Sequence, residues 1–359
     1  MLIDSKNYVI NRDDAVIRNF DRVYCDLVDK IINKGERVEN RTGIDCFSVE
    51  GEYFKLDVGD CFPILEVKKV NIKNALSELL WIYQAQSNDV SWLHQRGNHI
   101  WDEWAIKDDG YWYASQNVSD NNGGYKLESV KKYFGKDYAG TIGTAYGFIN
   151  NKFKRPQYVL NQLKNNPHDR RMVISLWQDE YMSTAVLPSC VWNSEWKVMN
   201  NRLHVFVHQR SCDVALGLPF NVSQYAILLC MFATVSGLKI GNLNWSIMDA
   251  HIYENQIEQM KLLLKRFRLM EKWEQVIKEN SDKEIQFIYD NLLDNITKNS
   301  SKELLEDKLI LELMIMKKKP FLTLASLDDF FAFDNSEDNK DIKLSDYVSA
   351  PFIAMPIAQ

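Results

Sequence analysis

No two cysteines in these 359 residues stand at C-x-x-C spacing. The six, at positions 25, 46, 61, 190, 212 and 230, therefore lack the ligand pattern of a zinc ribbon and the motif of a thioredoxin-like redox site. So few thiols in so long a chain read as reduced cysteines of a cytoplasmic protein. A basic surplus is missing as well. Lys+Arg number 43 against 49 Asp+Glu, a net charge of −6, with a pI near 5.6. This excludes a global attraction to nucleic acid or to an anionic membrane, so an anionic ligand has to be held by a few local arginines. The N-terminal MLIDSKNYVINRDD has no apolar core of a signal peptide. The most apolar stretch, Tyr225 to Leu238, runs 14 residues with Thr234 and Ser236 inside it, short for a bilayer and suited to a buried helix. No internal repeat and no Pro/Gly/Ser linker divides the chain.

What is present is an ordinary globular composition, 46% hydrophobic and 26% charged, with ample length for a core. Length alone, at roughly 150 residues per domain, asks for two or three domains. Residues 14–33 place Val16, Ile17, Phe20, Val23, Tyr24, Leu27, Val28 and Ile31 at helical spacing before Gly35. Residues 43–70 read as strands broken at Glu50-Gly51-Glu52, and 71–84 as a second helix with Ile72, Ala75, Leu76, Leu79 and Tyr83 on one stripe. Two segments differ in texture. Residues 106–140 are rich in tyrosine and carry the turn signals Asp108-Asp109-Gly110 and Asn121-Asn122-Gly123-Gly124. Residues 255–319 are Lys/Glu/Leu-rich with helical periodicity and end at Lys317-Lys318-Lys319, which reads as a solvated last turn complementing the helix dipole.

The most informative short-range geometry lies between 186 and 211. Trp192, Ser194, Trp196 and Val198 alternate with other residues, Asn200-Asn201 offers a turn, and Leu203, Val205 and Val207 continue the alternation. A hairpin folded about Asn200-Asn201 opposes residues whose numbers sum to about 401, which sets Cys190 across from Arg210 and Ser211. A thiol, a guanidinium and a hydroxyl then meet. The cation favours a thiolate, and guanidinium plus hydroxyl suit a phosphate. A cysteine in an apolar strand is also an ordinary inert core residue. Residues 209–221, QRSCDVALGLPFN, end at Asn221 just where the long apolar helix begins. Asn221 is a helix N-cap on one reading. On another, its amide, donor and acceptor together, pairs with the N–H and C=O of a pyrimidine edge.

LPSC at 187–190 and QRSCDVALGLPFN at 209–221 together resemble the thymidylate synthases. The resemblance extends through NRTG (40–43), SELLW (77–81), IWDEWA (100–105), GTAYG (143–147), RRMVISLW (170–177) and DAHIY (249–253), all in the family's order. It implies an α+β fold: a single domain, residues 1–359, around a large mixed β-sheet flanked by helices, with insertions at about 106–140 and 260–318. It also implies a sheet-to-sheet homodimer. The activity implied is reductive methylation of dUMP to dTMP, with 5,10-methylenetetrahydrofolate as one-carbon donor and hydride source, dihydrofolate as co-product and no metal.

Residue by residue, the resemblance makes Cys190 the nucleophile that adds to C6 of uracil. Asn221 reads the base and favours uracil over cytosine. Arg41, Arg210 and Ser211 take the phosphate, joined by Arg170 and Arg171 from the other subunit. His251 and Tyr253 contact the deoxyribose hydroxyl, and Asp213 contacts folate beside the substrate. Glu78, with Trp81 and Ile82 three and four residues on, is a partly buried carboxyl of raised pKa suited to proton transfer. Trp101, Trp104 and Tyr146 line the folate pocket, Lys68 lies near the folate glutamyl tail, and the MPIAQ tail with Ala358 closes over the ligands. The residue after the nucleophile is Val191, where the family commonly has histidine. A pyrimidine nucleotide hydroxymethylase, the nearest rival, is disfavoured by Asn221 and Trp101.

Overall fold

A computed structural model describes residues 10–40, 42–119, 125–299 and 301–357. Its centre is a six-stranded mixed sheet in the order β1-β2-β8-β7-β6-β5. The strands are β1 (Glu36–Val38), β2 (Cys46–Asp57), β5 (Val173–Ser175), β6 (Val191–Met199), β7 (Arg202–Asp213) and β8 (Lys239–Tyr253). All neighbours are antiparallel except β7 and β8, which run parallel. A parallel pair needs a crossover, and the helix α6 (Gly217–Val235) supplies it. The remaining strands form two hairpins, β3 (Tyr111–Ser119) with β4 (Tyr125–Tyr133) and β9 (Phe321–Leu324) with β10 (Ile342–Ser345).

Helix α6 has 19 residues. It is apolar all round, as a helix must be when every face is covered. By length and composition it passes for a membrane span, yet 83% of it is buried inside the molecule, between β7, β8 and α2 (Ile72–Tyr83). It begins at Gly217, so Asn221 lies inside its first turns and is no N-cap. Helix α1 (Asn19–Lys34) starts later than the hydrophobic spacing suggests, because residues 12–16 form a turn and bend and Arg18 is extended. The strands expected within 43–70 are one long strand, β2, in which Gly51 takes φ +69° where the sequence suggested a break. Short helices α3 (Ser91–His94), α4 (Gly147–Phe153) and α5 (Arg155–Asn165) connect α2 to β5.

Both textured segments are structured. Residues 106–140 hold the β3–β4 hairpin, whose Asn121-Asn122-Gly123-Gly124 tip lies outside the described residues. Residues 260–318 hold most of α7 (Ile257–Glu279), with α8 (Asp282–Lys298) and α9 (Lys302–Met316). Helix α7 buries Met260, Leu263, Phe267, Met270 and Trp273 in the same core that holds Tyr24 and Leu27 of α1. The lysine run after α9 is not all solvated. Lys317 is buried, forms an ion pair with the fully buried Glu66, and donates to the carbonyl of Val16 at 2.6 Å. Its charge has left water because Glu66 needs a cation there. Burial pushes the Glu66 carboxyl up to about 7 even with Lys317 beside it, and Arg18 stands 3.8 Å away. Lys317→Met leaves that carboxylate without its main cation. Breaking a buried pair costs about 3–5 kcal/mol, and urea denaturation at pH 8 is expected to register a loss of that size.

Candidate active site

One cavity of about 940 Å³ opens where the carboxyl ends of β7 and β8, the start of β6 and the N-terminal turn of α6 converge. Ligands favour such crevices beyond the carboxyl ends of parallel strands. The strands do not reach it in simple alternation. In β7 every second residue from Leu203 to Gln209 is buried, then Arg210 and Ser211 are both partly exposed and Cys212 is buried. In β8 the same break falls at Met248 and Asp249, and in β2 it falls around Gly51. The register pairs Asp249 with both Glu50 and Ser211, so the breaks line up across three strands. Consecutive residues Arg210 and Ser211 can therefore both face the cavity.

The β6–β7 hairpin turns at Asn200 and Asn201, both with φ near +50° to +57°, as a two-residue type I′ turn requires. The sum of 401 holds from Met199↔Arg202 to Asn193↔His208, after which a bulge shifts it to Val191↔Gln209. The shift sets Cys190 against Arg210, whose backbone N–H donates to the Cys190 carbonyl at 2.9 Å. The Arg210 guanidinium donates to the carbonyls of Pro188 (2.8 Å) and Ser189 (3.1 Å), lies 3.9 Å from Cys190 Sγ, and sits 5.5 Å from the centre of the Trp177 ring. The turn that carries the thiol is thus clamped by the cation beside it. Tyr146 Oη accepts from the Cys190 N–H at 3.2 Å. This tyrosine holds φ +48°, a strained position for a side-chain-bearing residue, and burial pushes its phenol well above the usual range.

Glu78 projects from α2 into the cavity and is buried. Its carboxylate accepts from Trp101 Nε1 at 2.7 Å and from Gln224 Nε2 at 2.5 Å. Burial raises its pKa, and those two hydrogen bonds only partly oppose the rise. Asn221 Oδ1 accepts from Gln209 Nε2 and Asn221 Nδ2 donates to Gln224 Oε1, each at 3.2 Å. Asp249 gathers Ser48 Oγ (2.7 Å), His251 Nδ1 (3.2 Å) and Ser211 Oγ (3.4 Å). Burial works to raise the Asp249 pKa, but the hydrogen bonds outweigh it and hold the carboxyl below its usual value. Tyr253 lines the same wall, its ring 5.1 Å from that of His251. Asp213 accepts from the Leu216 N–H and from Gln256 Nε2, which also donates to the carbonyl of Pro356 in the C-terminal tail.

The apolar wall is aromatic. Trp101 packs against Trp81, Trp104 and Tyr146 at centroid separations of 5.3–5.9 Å. The inserted hairpin adds Trp112, whose indole donates to the Glu103 carbonyl at 2.8 Å. Asp102, in the same turn as Glu103, looks outward. It bonds His94 Nε2 at 2.6 Å and His99 Nδ1 at 2.9 Å in an exposed cluster outside the cavity lining.

Of the residues expected from the sequence, the cavity collects Cys190, Arg210, Ser211, Asn221, Glu78, Asp213, His251, Tyr253, Trp101, Trp104 and Tyr146. Arg41 and Ala358 lie outside the described residues, though Asn40, Thr42 and Ile357 beside them line the cavity. Lys68 does not line it. Its ammonium is buried, donates to the Ala215 carbonyl at 2.6 Å and is lowered by burial to about 8. Arg170 and Arg171 are exposed before β5, outside the lining, with Arg171 paired to Asp169 at 2.9 Å. Sequence reasoning passed over Gln209, Gln224, Asp249 and Trp177. Three of these lie inside or at the end of quoted motifs, and Gln224 stands one helical turn beyond Asn221. A raised carboxyl pKa means that folded Glu78 holds its proton to higher pH than the unfolded chain does. Its stabilising share is complete at acid pH and is lost as pH rises through the folded pKa. The stability of Glu78→Gln relative to the unsubstituted protein is therefore expected to grow with pH, as urea melts across a pH series will measure.

Comparison with known proteins agrees with this geometry. Residues 22–299 match the family model described as thymidylate synthase. The chain is 38% identical over 247 residues to a thymidylate synthase of Clostridium beijerinckii, covering 69% of this chain and 82% of that protein. It is 34% identical over 317 residues to thymidylate synthase 1 of Bacillus subtilis, covering 82% of this chain and 99% of the relative. Among solved structures, thermostable thymidylate synthase A from Bacillus subtilis superposes with a TM-score of 0.62 at 29% identity, over 90% of this chain and 94% of the other.

Proposed function

Since the chain belongs to the thymidylate synthase family, and so converts dUMP to dTMP with 5,10-methylenetetrahydrofolate, we propose that the cavity at the carboxyl ends of β7 and β8 is where it does so, with Cys190 as nucleophile. The observation that carries the assignment is the Cys190–Arg210 pair, a thiol whose turn is clamped by the neighbouring guanidinium. Addition of Cys190 to C6 of the uracil makes C5 nucleophilic, and splitting the reaction in this way lowers its hardest barrier.

Arg210, Ser211 and Arg41 take the phosphate, and Asn221 reads the base edge. His251 and Tyr253 hold the deoxyribose hydroxyl, and Asp249 orients His251 from below. Glu78 handles the protons around O4 and C5, a task that its raised pKa suits. The folate supplies both the one-carbon unit and the hydride. The aromatic wall of Trp101, Trp104 and Tyr146 fits its flat rings, and Asp213, lining the same cavity, contacts it. The tail, which Gln256 ties to Asp213 at the Pro356 carbonyl, closes over the ligands, with Ala358 among its folate contacts. Lys68 acts by holding the Ala215 carbonyl behind Asp213.

We read the chain as one catalytic unit enlarged by two insertions, working in the cytoplasm as a homodimer. The sheet face turned away from α6 supports the dimer. It exposes Tyr53, Trp192 and Met199, with Tyr53 stacked on Phe206 at 5.8 Å, an apolar patch of the sort that marks an interface. Arg170 and Arg171 then serve the partner's phosphate site.

Tritium release from 5-tritiated dUMP in the presence of the folate is expected for the unsubstituted protein and absent from Cys190→Ala; release that persists in the variant refutes the nucleophile. Mixing inactive Cys190→Ala with inactive Arg170→Ala/Arg171→Ala is expected to restore activity through hybrid dimers. No restoration on mixing would refute the shared site.

A further inference from the structure

We propose that Gln224 is a positioning residue that locks the Asn221 amide in the one orientation that accepts uracil, and that it ties this lock to Glu78. The proposal rests on the reading of Asn221 and Glu78 given above and adds a residue to it.

Five side chains form a relay across the cavity floor. Trp245 Nε1 donates to Gln209 Oε1 at 3.1 Å, Gln209 Nε2 donates to Asn221 Oδ1, Asn221 Nδ2 donates to Gln224 Oε1, and Gln224 Nε2 donates to Glu78 Oε2. The polarity of this chain is determined at both ends. An indole N–H only donates, so Gln209 must turn its oxygen to Trp245 and its nitrogen to Asn221. Gln224 Nε2 also donates to the backbone carbonyl of Ala75 at 3.2 Å, a group that only accepts. Its orientation therefore holds whether or not Glu78 is ionised. Asn221 is left with a donor facing its oxygen and an acceptor facing its nitrogen. Turning its amide over would break both bonds and set like groups against each other.

The consequence is selectivity. Asn221 retains one N–H and one oxygen lone pair for a ligand, in a fixed order. Uracil offers N3–H beside the O4 acceptor. Cytosine offers the reverse, a bare N3 beside an amino group, and could be matched only by the flipped amide. Gln224 is buried, and Val191, on the cavity wall beside Cys190, has no polar group to take its place. The relay is also coupled to Glu78, because a donor on a carboxylate favours its ionised form. Beside the Trp101 and Gln224 donors, the Glu78 charge also acts on Tyr146, whose phenol burial holds well above the usual tyrosine range.

Gln224→Ala and Gln224→Glu test the proposal, with Asn221→Asp as the control on the underlying reading. A lost hydrogen bond to a charged group is worth about ten- to a hundredfold. Gln224→Ala is expected to lose that much in kcat/KM for dUMP, to bind dCMP more tightly as a competitive inhibitor, and to shift the Glu78-dependent limb of the pH profile upward. In Gln224→Glu, a protonated carboxyl keeps the shape and acceptor of the glutamine and one of its two donors, enough for the bond to Glu78, so activity is expected to rise toward the unsubstituted level as pH falls. It is lost as pH rises and two carboxylates confront each other. Should the alanine variant fail to fold, the isosteric glutamate variant carries the test. An unchanged dUMP/dCMP ratio together with an unshifted pH profile in the folded Gln224 variants overturns the proposal. If Asn221→Asp also leaves the base preference unaltered, the base-reading assignment itself falls; if it alters the preference, the failure is confined to Gln224.

Discussion

A regular strand sends consecutive side chains to opposite faces, and here the consecutive residues Arg210 and Ser211 both have to line one cavity. The aligned breaks in β2, β8 and β7, with the bulge at the start of β6, meet that need. Below the breaks the sheet is an ordinary half-buried surface, with Leu203, Val205, Leu243 and Trp245 packed under α6. Above them the buried positions move by one, to Cys212 in β7 and Ala250 in β8, and the partly exposed Arg210, Ser211 and Asp249 line the cavity. A break in one strand alone would leave its neighbours out of step. Three in register let the ladder continue to Asp213 and Tyr253.

The site so formed is polar and deeply enclosed, which is costly unless its groups are satisfied. Gln209, Asn221, Gln224 and Glu78 bond to one another and to Trp245, Trp101 and the Ala75 carbonyl, leaving Asn221 one N–H and one lone pair for a ligand. Asp249 does the same for Ser48, Ser211 and His251. Such networks order the site before any ligand arrives, which reduces the reorganisation left for the reaction. Tyr146 adds strain to the same account, holding an unfavourable φ in order to reach the Cys190 N–H.

The two insertions relate to this centre differently. The β3–β4 hairpin reaches the cavity itself through Trp112. The α7–α9 unit stays away from it and fastens to the body through its α7 core residues and the buried Lys317–Glu66 pair. Arg266 of α7 also donates to the Pro351 carbonyl at 2.8 Å, fixing the approach of the tail. Apolar periodicity made the helices of this unit legible. The role of Lys317 was not, because the end of a helix looks the same in sequence whether it meets water or a buried carboxylate.

Local pattern determined a good deal by itself. The Asn200-Asn201 turn follows from the αL tolerance of asparagine, the burial of α6 from its all-round apolarity, and the burial of Glu78 from its apolar flank. The ordered motifs also placed most of the cavity's residues. The tertiary structure decided what depends on partners distant in the chain. The bulge that puts Cys190 against Arg210 instead of Ser211 is set by how β6 meets β7. The start of α6 at Gly217, and with it the aim of Asn221, follows from the crossover between parallel strands. Lys68 is withdrawn to a carbonyl 147 residues away, and the Gln224 link to Glu78 spans 146. Hydrophobic periodicity reports which way a side chain faces its own element. Hydrogen bonds in a low-dielectric interior are satisfied across elements, and their partners exist only once the chain has folded.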